Sequence, residues 1–160
     1  MVNSFRALGI AAAISLAAMT PQAQAQSAQA ASRTSQVSVP VTTLAPIVVA
    51  VEGLRFSGQA VISSRLASDP DFGRPSLVLL FDMTGVTGVG AASGLLYRAL
   101  SQEYVVRPHA MNQNIGFTFP MATDPDAPLA SVRTGDARFV MNVDLATGAV
   151  TSVTAALTPR

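Results

Sequence analysis

The sequence predicts a small all-β domain of about seven to nine strands, arranged as an antiparallel β-sandwich or an open barrel. Stretches in which apolar and polar residues alternate recur along the chain, which is typical of half-buried strands. Segments rich in Gly, Pro and Asp separate these stretches and indicate turns. The length that follows the N-terminal segment suits one domain, predicted over residues 37–160.

The N-terminal segment has the order of a secretory signal peptide, predicted over residues 1–25. Arg6 supplies a positive charge, residues 8–19 are uncharged and apolar, and residues 23–25 read Ala-Gln-Ala, which suits a signal peptidase. A membrane-spanning helix needs about 20 apolar residues, so this run is too short for one, and no later run reaches that length. Small residues at 28 and 30 leave a later cut open. We therefore expect export to the periplasm or the medium, and no transmembrane span in the mature chain.

Charge and cysteine content narrow the function classes. Removal of Arg6 leaves nine basic residues, all arginine, against nine Asp and Glu, so the mature chain is close to neutral. Nucleic-acid binding depends on clustered positive charge, and the arginines here are scattered. The chain has no Cys, so no disulfide forms and a zinc site is not expected.

The first part of the domain follows a polar, patternless stretch, residues 26–36, predicted to be a flexible spacer. Alternating valines over residues 37–41 predict a strand, and Pro40 indicates a sheet edge because proline cannot donate to a ladder. A β-branched run at 47–51 and an alternating stretch at 56–66 predict the next strands.

The middle of the chain contains one ambiguous segment. Residues 69–75 predict a turn, and residues 77–81 predict a strand that is covered on both faces. A long Gly-rich connection is expected over residues 84–94. Residues 94–104 fit a strand or a helix, and we favour a strand because the neighbouring segments are strand-like.

The C-terminal part predicts further strands at 104–107 and 115–119, the second ended by Pro120, and a loop over residues 121–128. The clearest pattern is a hairpin. Inward apolar residues are predicted on both of its strands: Phe139, Met141, Val143, Leu145, Ala149, Val153, Ala155 and Leu157. A three-residue loop of Ala146, Thr147 and Gly148 joins them, with the glycine in the left-handed conformation.

A Gly-rich motif follows the strand at 77–81. A strand before such a turn is how dinucleotide sites begin, but the spacing of Gly85, Gly88 and Gly90 misses G-x-G-x-x-G. The motif is therefore interpreted as turns between strands, and no cofactor is predicted.

Two other sets of residues are weighed as sites. Ser93, His109 and Asp82 are the types of a hydrolase triad, but geometry defines a triad, and no catalytic residue is predicted. The Asp-Pro-Asp triplets at 69–71 and 124–126 are interpreted as turns, because no single loop carries a calcium-ligand series. No metal site is predicted.

The remaining candidate site is a ligand or anion pocket lined by Tyr97, Arg98, Tyr104 and Arg107. Together these features predict an exported, non-catalytic envelope or extracellular protein with a binding or structural role. One alternative is a surface-polymer subunit that donates residues 37–42 to a neighbour's sheet. Another is a small secreted hydrolase. A protein partner or self-association is expected, and its identity stays open.

Overall fold

The described part of the protein is built entirely from β-strands. A computed structural model describes residues 34–44, 53–68, 75–124, 126, 128 and 131–160. In these residues nine strands form one mixed sheet, and no α-helix occurs. The strands are β1 (Ser35–Thr43), β2 (Leu54–Ser68), β3 (Pro75–Asp82), β4 (Val86–Gly90), β5 (Leu96–Ala99), β6 (Gln102–Pro108), β7 (Asn112–Ala122), β8 (Arg133–Val143) and β9 (Val150–Pro159). The all-β prediction is confirmed.

The sheet folds back on itself. Its strand order is β1-β9-β8-β7-β5-β4-β2-β3-β6, and β1 pairs in addition with β2. The predicted antiparallel arrangement holds for every ladder except one, since β1 and β9 are parallel where residues 41–43 meet residues 155–157. Strand β1 thus links the ladder of β9 with that of β2.

Strand β1 changes partner next to Pro40, and among the described residues each of its halves pairs with a single strand, as Pro40 predicted for a sheet edge. Its residues 35–40 pair with β2, and residues 41–43 pair with β9. The Leu44 N–H donates to the Leu157 oxygen at 2.8 Å, so the even-numbered residues of this segment point toward β9. The missing N–H of Pro40 therefore removes no bond to β2, and proline is tolerated where the strand changes partner.

A glycine corner turns β2 from one ladder into another. Residues 54–58 pair with β4, and residues 61–68 pair with β3. At the change of partner Gly58 has a φ of 103°, and the Gly85 oxygen lies so close that a Cβ on Gly58 would be 2.2 Å from it. Only glycine combines this φ with so close an approach of two backbones.

The expected long connection at 84–94 is wrong, because residues 86–90 form β4. Gly88 packs there without a side chain beneath Phe56 and Met121, with both of which an added Cβ would be in close contact. Glycine inside a strand is compatible with such packing, so Gly88 does not by itself indicate a loop.

The ambiguous segment is extended, which confirms the favoured interpretation: residues 96–99 form β5, and β6 begins at residue 102. Strand β7 continues through Pro120 to Ala122, so the predicted end at Pro120 is wrong. The Pro120 carbonyl accepts from the Leu100 N–H at 3.1 Å, on the side of β5. The proline nitrogen faces the same side, so β7 loses no bond to β8.

The predicted β8–β9 hairpin is confirmed, but its loop and register differ, and Leu145, predicted to point inward, lies in the loop and is 48% exposed. The Asp144 N–H donates to the Ala149 oxygen at 2.8 Å, which leaves a loop of residues 145–148, one longer than predicted. Gly148 is left-handed, with a φ of 72°. The register shifts beyond Asn142, because one extra residue lies in β9. This bulge buries Val150, although the alternation predicted that Ala149 would point inward.

Aromatic rings occupy the centre of the core. Phe139 contacts Phe81 with ring centroids 4.7 Å apart and stacks on Phe117 at 5.8 Å. Phe56 and Phe119 form a second pair at 6.0 Å. Strand β3 is buried on both faces over most of its length, as the apolar run at 77–81 predicted.

Several predictions concern residues outside the described part. These are the signal peptide, residues 26–33 of the spacer, the run at 47–51 and residues 69–74 of the turn. Among the described residues, none belongs to a helix of the length and hydropathy needed to span a membrane.

Candidate binding site

The register of four neighbouring strands, β1, β2, β3 and β6, defines a surface turned away from the core. On β3, Leu77, Leu79 and Phe81 are fully buried in the core. Successive side chains of a strand alternate between faces, so Val78 and Leu80 point to the opposite side. We call that side the outer face. It is apolar along β3, where an ordinary half-exposed strand would be polar.

Two cross-strand rows make up the centre of the outer face. Paired positions on β2, β3 and β6 supply one residue each to a row. The rows are Ser63, Leu80 and Tyr104, and Arg65, Val78 and Val106. Tyr104 is 57% exposed and Val106 is 54% exposed, so β6 presents two large apolar side chains to solvent next to each other on one face.

A shallow cavity of about 150 Å³ lies on this face. Its apolar walls are Val78, Leu80 and the Tyr104 ring, and Arg65 and Ser63 are at its polar side. Thr34, which precedes β1, completes that side. A cavity of about this volume holds one benzene-sized group. The cavity therefore suits one apolar side chain or a small aromatic ligand next to an arginine.

A carboxylate clip borders the same face and joins β3 to β6. The Gln102 side-chain amide donates to Asp82 Oδ2 at 3.1 Å. The Thr84 hydroxyl and the Thr84 N–H donate to Asp82 Oδ1 at 2.6 and 2.9 Å. The Thr84 hydroxyl lowers the pKa of Asp82 most, followed by the Thr84 N–H, and Gln102 adds to the effect. The outer face thus has a carboxylate beyond one of its ends and Arg65 near the other.

The clip predicts an acid-dependent contribution to stability. Because the folded-state pKa of Asp82 lies below its ordinary value of 3.8, the contribution is present above that value and is lost as the pH falls through the lowered pKa. Asp82→Asn should lower the free energy of unfolding at pH 7 by less than about 1 kcal/mol, since the side chain is partly exposed and its charge is screened. The difference should shrink below pH 4. Urea unfolding between pH 7 and pH 2.5 measures it.

Thr84→Ser is the matched control for the clip. It keeps the hydroxyl donor and should preserve the pH dependence of the wild type, whereas Thr84→Val should weaken it. A constant difference between the wild type and Asp82→Asn down to pH 2.5 would contradict this role for the carboxylate.

The four residues predicted to line a pocket lie in different settings. Tyr104 lines the cavity. Tyr97 is only 4% exposed and belongs to the hydrophobic core, so its ring packs inside the protein. Arg98 is exposed on β5, and Arg107 is exposed on β6 opposite Leu77. Strands β5 and β6 share no ladder in the described part of the chain. The arrangement thus links only Tyr104 with the cavity.

Sequence reasoning did not include Arg65, Ser63 and Leu80 among the site residues. The sequence did contain a signal for the outer face, because both the odd-numbered and the even-numbered residues of the run at 77–81 are apolar. That pattern was interpreted as a strand covered on both sides, which holds for β3 but not for its neighbour β6, where Tyr104 and Val106 are exposed. The pairing with β6, which carries Tyr104 and Val106, could not be read from local periodicity.

Two of the three residues weighed as a triad are engaged in local contacts. Asp82 belongs to the clip, and the Ser93 hydroxyl accepts from the Leu95 N–H at 3.2 Å. His109 lies between β6 and β7, and its Nε2 is buried without a hydrogen-bond partner among the described residues. In the second Asp-Pro-Asp triplet, Asp124 Oδ1 accepts from the Asp126 N–H at 3.0 Å, which is turn chemistry.

Comparison with protein-family models, with curated proteins and with solved structures finds no match for this chain. Function must therefore be argued from the chemistry of the site itself. The outer face, with its cavity and its exposed aromatic residue, is the surface in the described part of the chain that supports such an argument best.

Proposed function

We propose that the chain is an exported, non-catalytic protein that binds another protein through its outer face, in the periplasm or the medium. The observation that carries the proposal is the exposure of Tyr104 and Val106 on one face of β6, next to a cavity with apolar walls. Contiguous exposed apolar surface commonly marks an interaction site, and tyrosine is enriched at the centres of protein interfaces.

The polar surroundings of this patch suit a protein partner. Arg65 and Ser63 lie on one side, and the carboxylate clip of Asp82 and Gln102 borders it. An apolar centre with a polar rim of both signs is the usual anatomy of a protein–protein interface. The near-neutral mature chain supplies no broad field of either sign that would attract a polyanion.

The surface-polymer alternative receives less support. Residues 37–42 already pair with β2 and β9 of their own chain, and Val39 and Val41 are buried in the core. Donation of this strand to a neighbour would require β1 to leave both ladders. That exchange exposes core residues unless a second copy replaces the strand.

The export part of the proposal can be tested with the full-length chain in a bacterial host. We expect the wild type in the periplasm or the medium, with a mature N-terminus at residue 26 or a few residues later by mass spectrometry. Leu16→Arg interrupts the apolar run and should leave a full-length product in the cytoplasm. A full-length wild-type product in the cytoplasm would contradict export.

The binding part can be tested with a photo-crosslinking residue in the exported protein. Placed at position 104, this residue should form a covalent adduct with a partner protein. Added wild-type mature protein should reduce the yield of the adduct by competition, whereas an added Tyr104→Ser variant should not. Position 140 is the matched control, since Val140 is also exposed, at 51%, but lies on β8, away from the outer face. Equal adducts at both positions, or none at 104, would contradict the proposal.

A further inference from the structure

Strand β6 carries backbone groups along one edge that pair with no other described residue. In the described part of the chain it pairs with β3 alone. The Met83 N–H donates to the Ser101 oxygen at 3.1 Å, in the same register as the β3–β6 ladder, so the odd-numbered residues of this segment point toward β3. The N–H and C=O groups of Gln102, Tyr104 and Val106 therefore point outward. A free edge of this kind can accept another strand.

Two opposite charges lie on this strand at equal distances from Val105. Glu103 precedes it by two residues and Arg107 follows it by two, and both lie on the face opposite to Tyr104 and Val106. Neither side chain forms an ion pair or a side-chain hydrogen bond within the described part of the chain. Among the described residues, each of the two charges is therefore without an ionic partner.

We propose that the partner is a second copy of this chain, whose β6 pairs antiparallel with this β6 about a two-fold axis at Val105. This inference rests on the proposed function and names its partner. The pairing places Glu103 opposite Arg107 of the second copy, and Arg107 opposite Glu103. It also places Tyr104 opposite Val106 of the second copy, an aromatic and β-branched pair that stabilises sheets.

The backbone selects the same register as the charges. Residues whose backbone N–H and C=O groups point outward must lie opposite one another in the pairing. Tyr104 of one copy can therefore exchange both backbone hydrogen bonds with Val106 of the other. The opposed charges then occupy non-hydrogen-bonded positions, where side chains across a ladder are closest. Pro108 meets Gln102 at the end of the pairing, where proline has no N–H and its oxygen already accepts from Gln113 Nε2 at 3.0 Å, so the ladder is weakest there.

The neighbouring registers lack this complementarity. The smallest shift that keeps the outward-pointing backbone groups opposite one another is two residues. Such a shift places Glu103 opposite Val105 in one direction and opposite His109 of the second copy in the other. Arg107 then has no carboxylate opposite it. An unrelated strand would likewise meet two uncompensated charges, a feature that protects exposed edges against indiscriminate pairing. The strand is therefore self-complementary in one register and is disfavoured in others.

The expected association is reversible. Two seven-residue edges bury less surface than the roughly 1,200–2,000 Å² of stable complexes, so we expect a dissociation constant on the order of 10–100 μM. The resulting sheet would continue through both copies, with Tyr104 and Val106 of each copy adjacent on the outer face.

Sedimentation velocity of the mature chain from about 1 μM to 500 μM tests the pairing, because it brackets the expected constant. The wild type should pass from monomer to dimer over this range. Arg107→Glu places like charges opposite each other twice in the dimer and should weaken association by about tenfold or more. The double variant Glu103→Arg/Arg107→Glu restores opposite charges in the same register and should recover dimerisation.

Two further variants keep the test decisive. Val106→Pro removes an outward N–H without removing a bond to β3, and it should abolish the dimer in a chain whose circular dichroism shows that it is folded. Arg138→Glu, on the interior strand β8, is the matched charge control and should leave association unchanged. A wild type that is monomeric at 500 μM, or a dimer insensitive to both Arg107→Glu and Val106→Pro, would overturn the inference. Crosslinking at position 104 to a different protein would then still support the proposed function.

Discussion

Replacement of Gly58 by alanine is expected to lower the free energy of unfolding by more than about 3 kcal/mol. The added Cβ would lie 2.2 Å from the Gly85 oxygen, and the φ of 103° is one that residues with a side chain rarely adopt. Backbone is on both sides of the contact, so no side-chain rotation relieves it. Urea unfolding followed by circular dichroism measures the loss.

Three other glycines separate the two causes of this loss, which are the strained φ and the close approach of another backbone. Gly94→Ala introduces a strained φ of 68° with no atom within 4 Å of the new Cβ, so it should cost about 1–2 kcal/mol. Gly85→Ala brings a Cβ to 2.6 Å from the Gln59 oxygen without a strained φ, so its loss of stability reports the close approach alone. Gly116→Ala meets only an ordinary contact at 3.6 Å and should be close to neutral. A Gly58→Ala variant as stable as Gly116→Ala would contradict the requirement for glycine at this corner of β2.

Phe139→Ala should have the second large effect, a loss of about 3–5 kcal/mol, typical of a fully buried phenylalanine reduced to alanine. The ring is fully buried between Phe81 and Phe117, at 4.7 and 5.8 Å, and its removal leaves a cavity among three strands. Thermal or urea unfolding of the purified mature chain measures the change.

The adjacent residue gives the control for this substitution. Val140 lies on the same strand with its side chain on the exposed face, so Val140→Ala should change stability by less than about 0.5 kcal/mol. Phe139→Leu retains most of the apolar volume and should fall between the two variants. Similar losses for Phe139→Ala and Val140→Ala would mean that the aromatic cluster is not the centre of the core.

Local patterns in the sequence predicted the strands better than their pairing. The alternation over 56–66 and over 139–143 is visible because one face of each strand is buried. The extended form of residues 94–104 also followed from their surroundings. Strand β4 was missed because Gly85, Gly88 and Gly90 are turn residues by composition, whereas Gly88 lies within the strand and packs against Phe56 and Met121.

Long-range pairing explains why the site was predicted only in part. Tyr97 and Tyr104 look alike in sequence, but pairing with β4 and β7 directs Tyr97 into the core, while Tyr104 lies on an edge strand and stays exposed. Arg65 joins the site only because β2 pairs with β3 in one register. A local window carries no information about contacts of this kind, so Tyr104 could be proposed from sequence and its neighbours could not.

Hydrogen exchange of the backbone amides of β6 is the most direct test of self-pairing through this strand. The Tyr104 and Val106 amides point away from β3, so they should exchange quickly in dilute mature protein, while those of Val105 and Arg107 are protected by the β3 ladder. At several hundred micromolar the exchange of the Tyr104 and Val106 amides should slow in the wild type and stay fast in Arg107→Glu. Exchange rates at these two residues that do not depend on concentration would contradict self-pairing through this edge.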